Sequence, residues 1–176
     1  MSGPGLIAAD FADLAAACER LREVSRLSAP LSTKQRPEIS GWCALEHVAH
    51  VALANELIVR NLESLSTGHG ALLQAGGEPV PGALEMLAAG VIPRGRAQSP
   101  RMVRPPSRID PLLLADWLAT GEQGFARFAR EVASLAQARG KIPHQLLGPL
   151  DAPQWVRFAR VHTRHHLAIV EALLAP

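Results

Sequence analysis

Tyrosine is absent from this 176-residue chain, and the aromatic share is only 4%. Valine and isoleucine are too thinly spread to suggest a sheet. Alanine and leucine dominate the apolar 48%, a composition that favours helix over strand. Cysteine is scarce as well. Cys18 and Cys43 each fall inside a helical pattern, and no Cys-x-x-Cys motif occurs. That argues against a disulfide framework and fits a reducing compartment, with both residues expected as buried free thiols rather than metal or redox groups. Charge of one sign is missing too: the formal net charge is +2. Without a basic block, neither a nucleic acid nor a membrane surface is expected as partner. No uncharged apolar run approaches the ~20 residues of a transmembrane helix. Met1 to Asp10 has no basic start and no long apolar run, so no signal peptide is expected and a cytoplasmic location is the expectation. The length fits a single domain over 1–176 with a real core.

What the chain does have is helical periodicity. Phe11, Leu14, Ala15, Cys18, Leu21 and Val24 recur at three- and four-residue steps and predict a first helix from Asp10, as N-cap, to Leu27. A second helix is expected from Ser40 or Trp42 to just before Gly68, carrying Leu45, Val48, Ala49, Ala52, Leu53, Leu57 and Ile58. The stretch from Ala71 to Ser107 is irregular, broken by Pro93, Pro100, Pro105 and Pro106, with room for a short helix over Gly82 to Ala89. Five arginines stand at its end: Arg94, Arg96, Arg101, Arg104 and Arg108. Asp110-Pro111 is an N-cap followed by proline at the first helical position. It opens a third long helix expected to run to Arg139 and stop at Gly140. A connector over Ile142 to Pro153 leads to a last helix from Pro153 to Leu174. Four long amphipathic helices with one long connection between the second and third imply an all-α four-helix bundle.

The chemistry sits in the histidines. Of seven, five fall in two helical clusters. His162 and His166 are four residues apart, on one helix face shared with Trp155, Phe158, Ile169 and Leu173. Imidazoles on an apolar face need partners for their ring nitrogens, and a metal ion would supply one to each. On the second helix, His50 lies in register with Leu53 and Leu57, whereas His47 lies on a less apolar strip with Ala44, Val51 and Asn55. His50 is therefore the better inward ligand, with His47 as the alternative. His165 competes with His166 but has a rim position. His69 and His144 read as solvated loop residues. Three protein ligands would leave at least one coordination position open, as in catalytic zinc sites.

Motifs around these histidines add a resemblance. Trp42-Cys43-Ala44-Leu45-Glu46-His47-Val48-Ala49-His50-Val51 is similar to the Trp-Ser-x-x-Glu-x-x-x-His-Leu opening of the second helix in the DinB/YfiT-like superfamily, with Cys43 in place of serine. His144 to Leu150 resembles the His-Pro-x-Phe-Gly-x-Leu segment of several branches, with Gln145 and Leu147 replacing the proline and phenylalanine. The final His162-x-x-x-His166 matches the remaining two ligand positions. Arg94 to Pro105 resembles the arginine- and proline-rich connection in those branches. The resemblance spans nearly the whole chain.

It implies an up-down-down-up bundle with a long crossover, and a divalent ion (nickel, zinc, iron or manganese) on His50, His162 and His166. It also implies a metal-dependent enzyme, and a homodimer acting on a small-molecule substrate. The foremost reading is a thiol S-transferase using a low-molecular-weight thiol, whose sulfur would be held as thiolate by the ion. A hydrolase would instead use a water whose pKa the ion lowers to about 7. A non-catalytic, stress-related metal-binding bundle is the third reading. Glu46 and Glu56 are candidates for a general base by sequence proximity alone, and a solvated helix face is the simpler account of each. The arginines of Arg94 to Arg108 could meet the carboxylates of a small thiol. No aromatic residue interleaves them as a base-stacking platform would require.

Overall fold

The computed structural model describes residues 3–95 and 98–176, so Arg96 and Ala97 of the arginine-rich connection lie outside it. Among the described residues the chain is mostly helical. In order come α1 (Pro4–Ser25), α2 (Ala29–Ser32), α3 (Ala44–Thr67), α4 (Ala83–Ala89), a 3-10 turn (Arg101–Val103), α5 (Pro111–Arg130) and α6 (Val132–Gln137). A hairpin of β1 (Ile142–His144) and β2 (Gly148–Leu150) follows, then α7 (Ala152–Leu174). Among the described residues, no helix is long and apolar enough to cross a membrane.

Local chemistry sets the helix ends. Asp110 Oδ1 accepts the Leu112 N–H at 2.8 Å, and Pro111 fills the first turn of α5. At α7 the cap is reciprocal: Asp151 Oδ1 accepts from Gln154 N at 2.9 Å, and Gln154 Oε1 accepts from Asp151 N at 3.0 Å. Cys43 is the N-cap of α3, where Glu46 accepts its N–H at 2.8 Å. Gly68, at φ 72°, ends that helix in the left-handed conformation that glycine adopts without strain.

Three elements differ from the sequence expectation. The first helix starts at Pro4, and Asp10 lies inside it, 6% exposed. Its carboxylate caps nothing. It pairs across to α7, with Arg157 Nε at 2.7 Å and Arg160 Nε at 3.1 Å. The third long helix breaks at Glu131, and α6 brings Leu135 into the core. The connector after it is a short antiparallel hairpin pairing Ile142 with Leu150 and His144 with Gly148.

The long helices pack as neighbours in the pairs α1–α7, α7–α3, α3–α5 and α5–α1. Their apolar residues form two clusters. One contains Phe11, Ile58, Leu62, Phe125, Phe128 and Trp155. The other contains Leu21, Val48, Val51, Leu114, Leu118 and Val170. Between them along the helices lies a polar level, where the amide of Asn55 on α3 and the hydroxyl of Thr163 on α7 meet at 3.4 Å, both side chains buried. Gly121 and Gly124, which look like interruptions in the sequence, fall within a continuous α5. A Cβ on Gly121 would stand 3.2 Å from Asn55 Cβ, and one on Gly124 only 2.5 Å from Val59 Cγ1. At both positions α5 lies close against α3.

Val59 is β-branched and stiff, so it cannot swing clear of a new methyl. Gly124→Ala is therefore expected to destabilise the fold by about 1–3 kcal/mol in urea unfolding, despite the ~1 kcal/mol that alanine gains over glycine in a helix. Adding Val59→Ala to Gly124→Ala should relieve the overlap, so the double variant should lose less than the sum of the two singles.

Candidate metal centre

Helix α3 presents His47 and His50 one turn apart, and α7 presents His162, His165 and His166. Packing α3 on α7 brings four of these five rings together. His50, His162 and His166 each offer one ring nitrogen, and those three atoms lie within 4.8 Å of one another. Ring centroids are 4.6 Å apart for His50–His166 and His162–His166, and 5.0 Å for His50–His162. Trp42 lies against the α3 rings, 5.1 Å from His50 and 5.4 Å from His47, and Phe158 lies 5.3 Å from His162.

Hydrogen bonding fixes which nitrogen of His50 is free. Its Nδ1 lies 2.7 Å from the Val103 carbonyl oxygen. A carbonyl only accepts, so His50 carries its proton on Nδ1 and leaves a lone pair on Nε2. That Nε2 faces Nε2 of His162 at 3.1 Å. Two nitrogens on one tetrahedral ion, each about 2.0–2.1 Å from it, stand roughly 3.3 Å apart. The observed separation is close to that. The third ring, His166, uses its Nδ1 against Nδ1 of His47 at 2.9 Å, which leaves its Nε2 for the site.

The electrostatics favour lone pairs over protons. Burial is the largest cause lowering the pKa of His50, His162 and His166, and it carries the last two well below the usual 6.5. Mutual repulsion between protonated rings adds to this for His162 and His166. Nδ1 of His162 is buried with no hydrogen-bond partner among the described residues. The donor set is thus three neutral imidazoles, which suits a borderline divalent cation.

The sequence placed all three of these residues correctly on facing helices, and the structure brings them together. Other placements differ. His47 is 3% exposed, and its strip of Ala44, Val51 and Asn55 is buried, while Leu53 and Leu57 are only half-buried. The inward face of α3 is therefore rotated toward His47. His165 is half-buried at the edge, its ring 5.0 Å from His166. His69 is exposed, as expected. His144 is not a solvated loop residue: its ring packs 4.4 Å from Phe158 and 5.4 Å from Trp155, and its Nδ1 accepts the N–H groups of Leu146 and Leu147. Glu46 is committed to the start of α3, and Glu56 pairs with Arg60. Cys18 and Cys43 are free and buried.

Sequence reasoning missed Ser40, Ser99 and the Val103 carbonyl. Ser99 Oγ lies 3.3 Å from His50 Nδ1, and Arg104 Nε donates to Ser99 O at 3.0 Å, so residues 99–104 fold onto the ring. A backbone carbonyl in an irregular loop leaves no side-chain signal. Of the arginines, Arg94 is exposed, and its positive charge helps disfavour protonation of His165 and His47. Comparison with protein families, curated proteins and solved structures gave no match to this chain.

The neutral imidazoles make the fold acid-sensitive. Burial lowers the His144 pKa from 6.5 to about 4. The unfolded chain takes up this proton at pH 6.5 and the folded chain only near pH 4, so stability is full above pH 6.5 and is lost as pH falls between the two. The loss from His144 alone should approach roughly 3 kcal/mol. His144→Asn keeps an acceptor for the two N–H groups but does not titrate. Urea unfolding from pH 7.5 to 4.5 should show a shallower decline for that variant, and identical slopes would refute the assignment.

Proposed function

We propose that this chain is a divalent-metal-dependent enzyme of the DinB/YfiT-like superfamily, a thiol S-transferase that uses a low-molecular-weight thiol. In this reading α1, α3, α5 and α7 form an up-down-down-up four-helix bundle over the single domain, and residues 68–110 are the long crossover. The pairwise neighbours of the long helices support the bundle. The observation that carries the functional reading is the convergence of three neutral imidazoles, His50, His162 and His166, from two helices.

Those residues would hold the ion through Nε2, and an all-imidazole set suits nickel, zinc or iron better than manganese, the fourth ion the resemblance implies. When bound, a divalent ion supplies positive charge that lowers the pKa of a thiol and favours its thiolate. The chain's own residues do the rest. His50 is fixed in orientation by Val103, so its lone pair stays directed at the site. Trp42 and Phe158 flank the rings and limit water around them. Arg94 is exposed and its charge disfavours protonation of His165, so in this reading it would receive a carboxylate of the small thiol. Three protein ligands leave at least one position for the sulfur. The remaining terms of the reading are a small-molecule electrophile as second substrate, a homodimer and a cytoplasmic setting.

Metal analysis of the purified protein tests the centre. The wild type should carry one ion per chain, and His50→Ala and His166→Ala should each lose it. Retention by both variants would show that the ion sits elsewhere. The activity is tested by mixing a small thiol with an electrophile such as a haloarene. Coupling should depend on the ion and vanish with a chelator. A protein that holds its ion but accelerates no coupling with any of several thiols would sink the transferase reading while leaving the metal centre in place.

A further inference from the structure

Behind His166 runs a chain of hydrogen bonds that the ligand set itself does not require. His166 Nδ1 lies 2.9 Å from His47 Nδ1, and His47 Nε2 lies 2.8 Å from Ser40 Oγ. Ser40 Oγ also accepts the Trp42 N–H at 3.1 Å, which fixes the serine in place. His47 is almost fully buried, and Ser40 is half-buried at the outer end. Each neutral ring has one N–H and one lone pair, so the chain can point in only two directions.

In the first direction the serine O–H donates to His47 Nε2, and His47 Nδ1–H donates to His166 Nδ1. His166 then carries its own proton on Nε2, the nitrogen facing the site, and has no lone pair there. In the second direction His166 Nδ1–H donates to His47 Nδ1, and His47 Nε2–H donates to Ser40 Oγ. That leaves a lone pair on His166 Nε2. Each ring keeps one proton in both arrangements, so net charge is unchanged.

We infer that His47 and Ser40 are positioning residues for the metal centre: His47 accepts the hydrogen bond from the N–H that His166 must carry on Nδ1 in order to ligate through Nε2, and Ser40 accepts from His47 in turn. The inference rests on the metal-binding reading above. It assigns the two α3 histidines different tasks. His50 is a ligand with a backbone carbonyl behind it. His47 is the acceptor behind a ligand from α7, and Ser40 in turn accepts from His47. Groups of this kind fix the tautomer and orientation of a ligating histidine and raise its basicity, and losing one typically weakens metal binding 10–100-fold. His47 also explains why a buried imidazole stands beside a centre that does not use it directly: leucine would fill the space but leave His166 Nδ1–H without an acceptor.

Zinc affinity of the full chain, measured by competition with a chromophoric chelator, tests this without reference to catalysis. Wild type and His47→Leu should each bind one zinc, the variant 10–100-fold more weakly. His47→Asn places an amide oxygen near the Nδ1 position and should recover part of the loss. Ser40→Ala should weaken binding in the same direction by a smaller factor. Nitrogen-15 NMR of the zinc-loaded wild type provides a readout that does not depend on any variant folding: His166 should be protonated on Nδ1 and His47 on Nε2. If wild type binds zinc and His47→Leu binds it as tightly, or if His47 carries its proton on Nδ1, the positioning role is overturned and the metal centre stands. If wild type binds no divalent ion, both fall.

Discussion

Taking an imidazole out of water without a counter-charge favours its neutral form, and a neutral imidazole has one nitrogen that donates and one that accepts. That constraint organises the interface between α3 and α7. Each buried ring demands a partner at both ends, and the partners come from separate parts of the chain: the Val103 carbonyl behind His50, and Ser40 behind His47 and then His166. The cluster therefore ties together two helices and two loops. Where no partner stands among the described residues, as at His162 Nδ1, a polar atom is left unsatisfied inside, a cost that a well-packed apolar side chain would avoid. Keeping histidines under these terms is understandable when their lone pairs have a task.

The helices must hold their relative height for the rings to meet. A slip of one turn would move α7 by about 5.4 Å and carry His162 and His166 past their partners. Two sets of contacts resist this. On the α1 side, Asp10 holds Arg157 and Arg160, while Asp13 meets Arg160 and Arg164. On the α3 side, the Asn55–Thr163 contact is specific to one register because both groups are buried between apolar clusters and have few alternatives. The glycines of α5 contribute from a third direction by letting that helix settle closely on Asn55 and Val59.

Much of this was legible in the sequence, for reasons that differ by residue. The helical class followed from composition and periodicity. His162 and His166 were visible because four-residue spacing puts two side chains on one face whatever the rest of the fold does. His50 was found by choosing between two histidines on α3, and the residues that pointed to it, Leu53 and Leu57, turned out to be only half-buried. His50, not His47, offers a nitrogen to the cluster with His162 and His166, but the reason drawn from Leu53 and Leu57 does not hold. What periodicity could not show was that His47 is equally inside, because Ala44 and Asn55 look polar or small in sequence yet line a tightly packed face. Asp10 was misread for a related reason. An acid near a helix start resembles a cap, and only the arrival of two arginines about 150 residues later along the chain makes it an interior ion pair. The break at Glu131 and the hairpin after it depend on where Leu135 can be buried, a tertiary matter that has no local signature.

The bond between His50 and residue 103 is made to the main chain, not to the valine side chain. The hydrogen bond itself thus does not read the side chain at position 103, although the buried valine must still be replaced by an apolar residue that fits the same space. Substitutions at the exposed positions of this stretch, such as Arg101 and Met102, would be tolerated far more readily than a single inserted or deleted residue, which would shift the carbonyl away from the ring. Across relatives of this protein, the segment between α4 and α5 would then be free to diverge in sequence while its spacing from the 3-10 turn to α5 stayed fixed, so that length, more than identity, would be the inherited quantity.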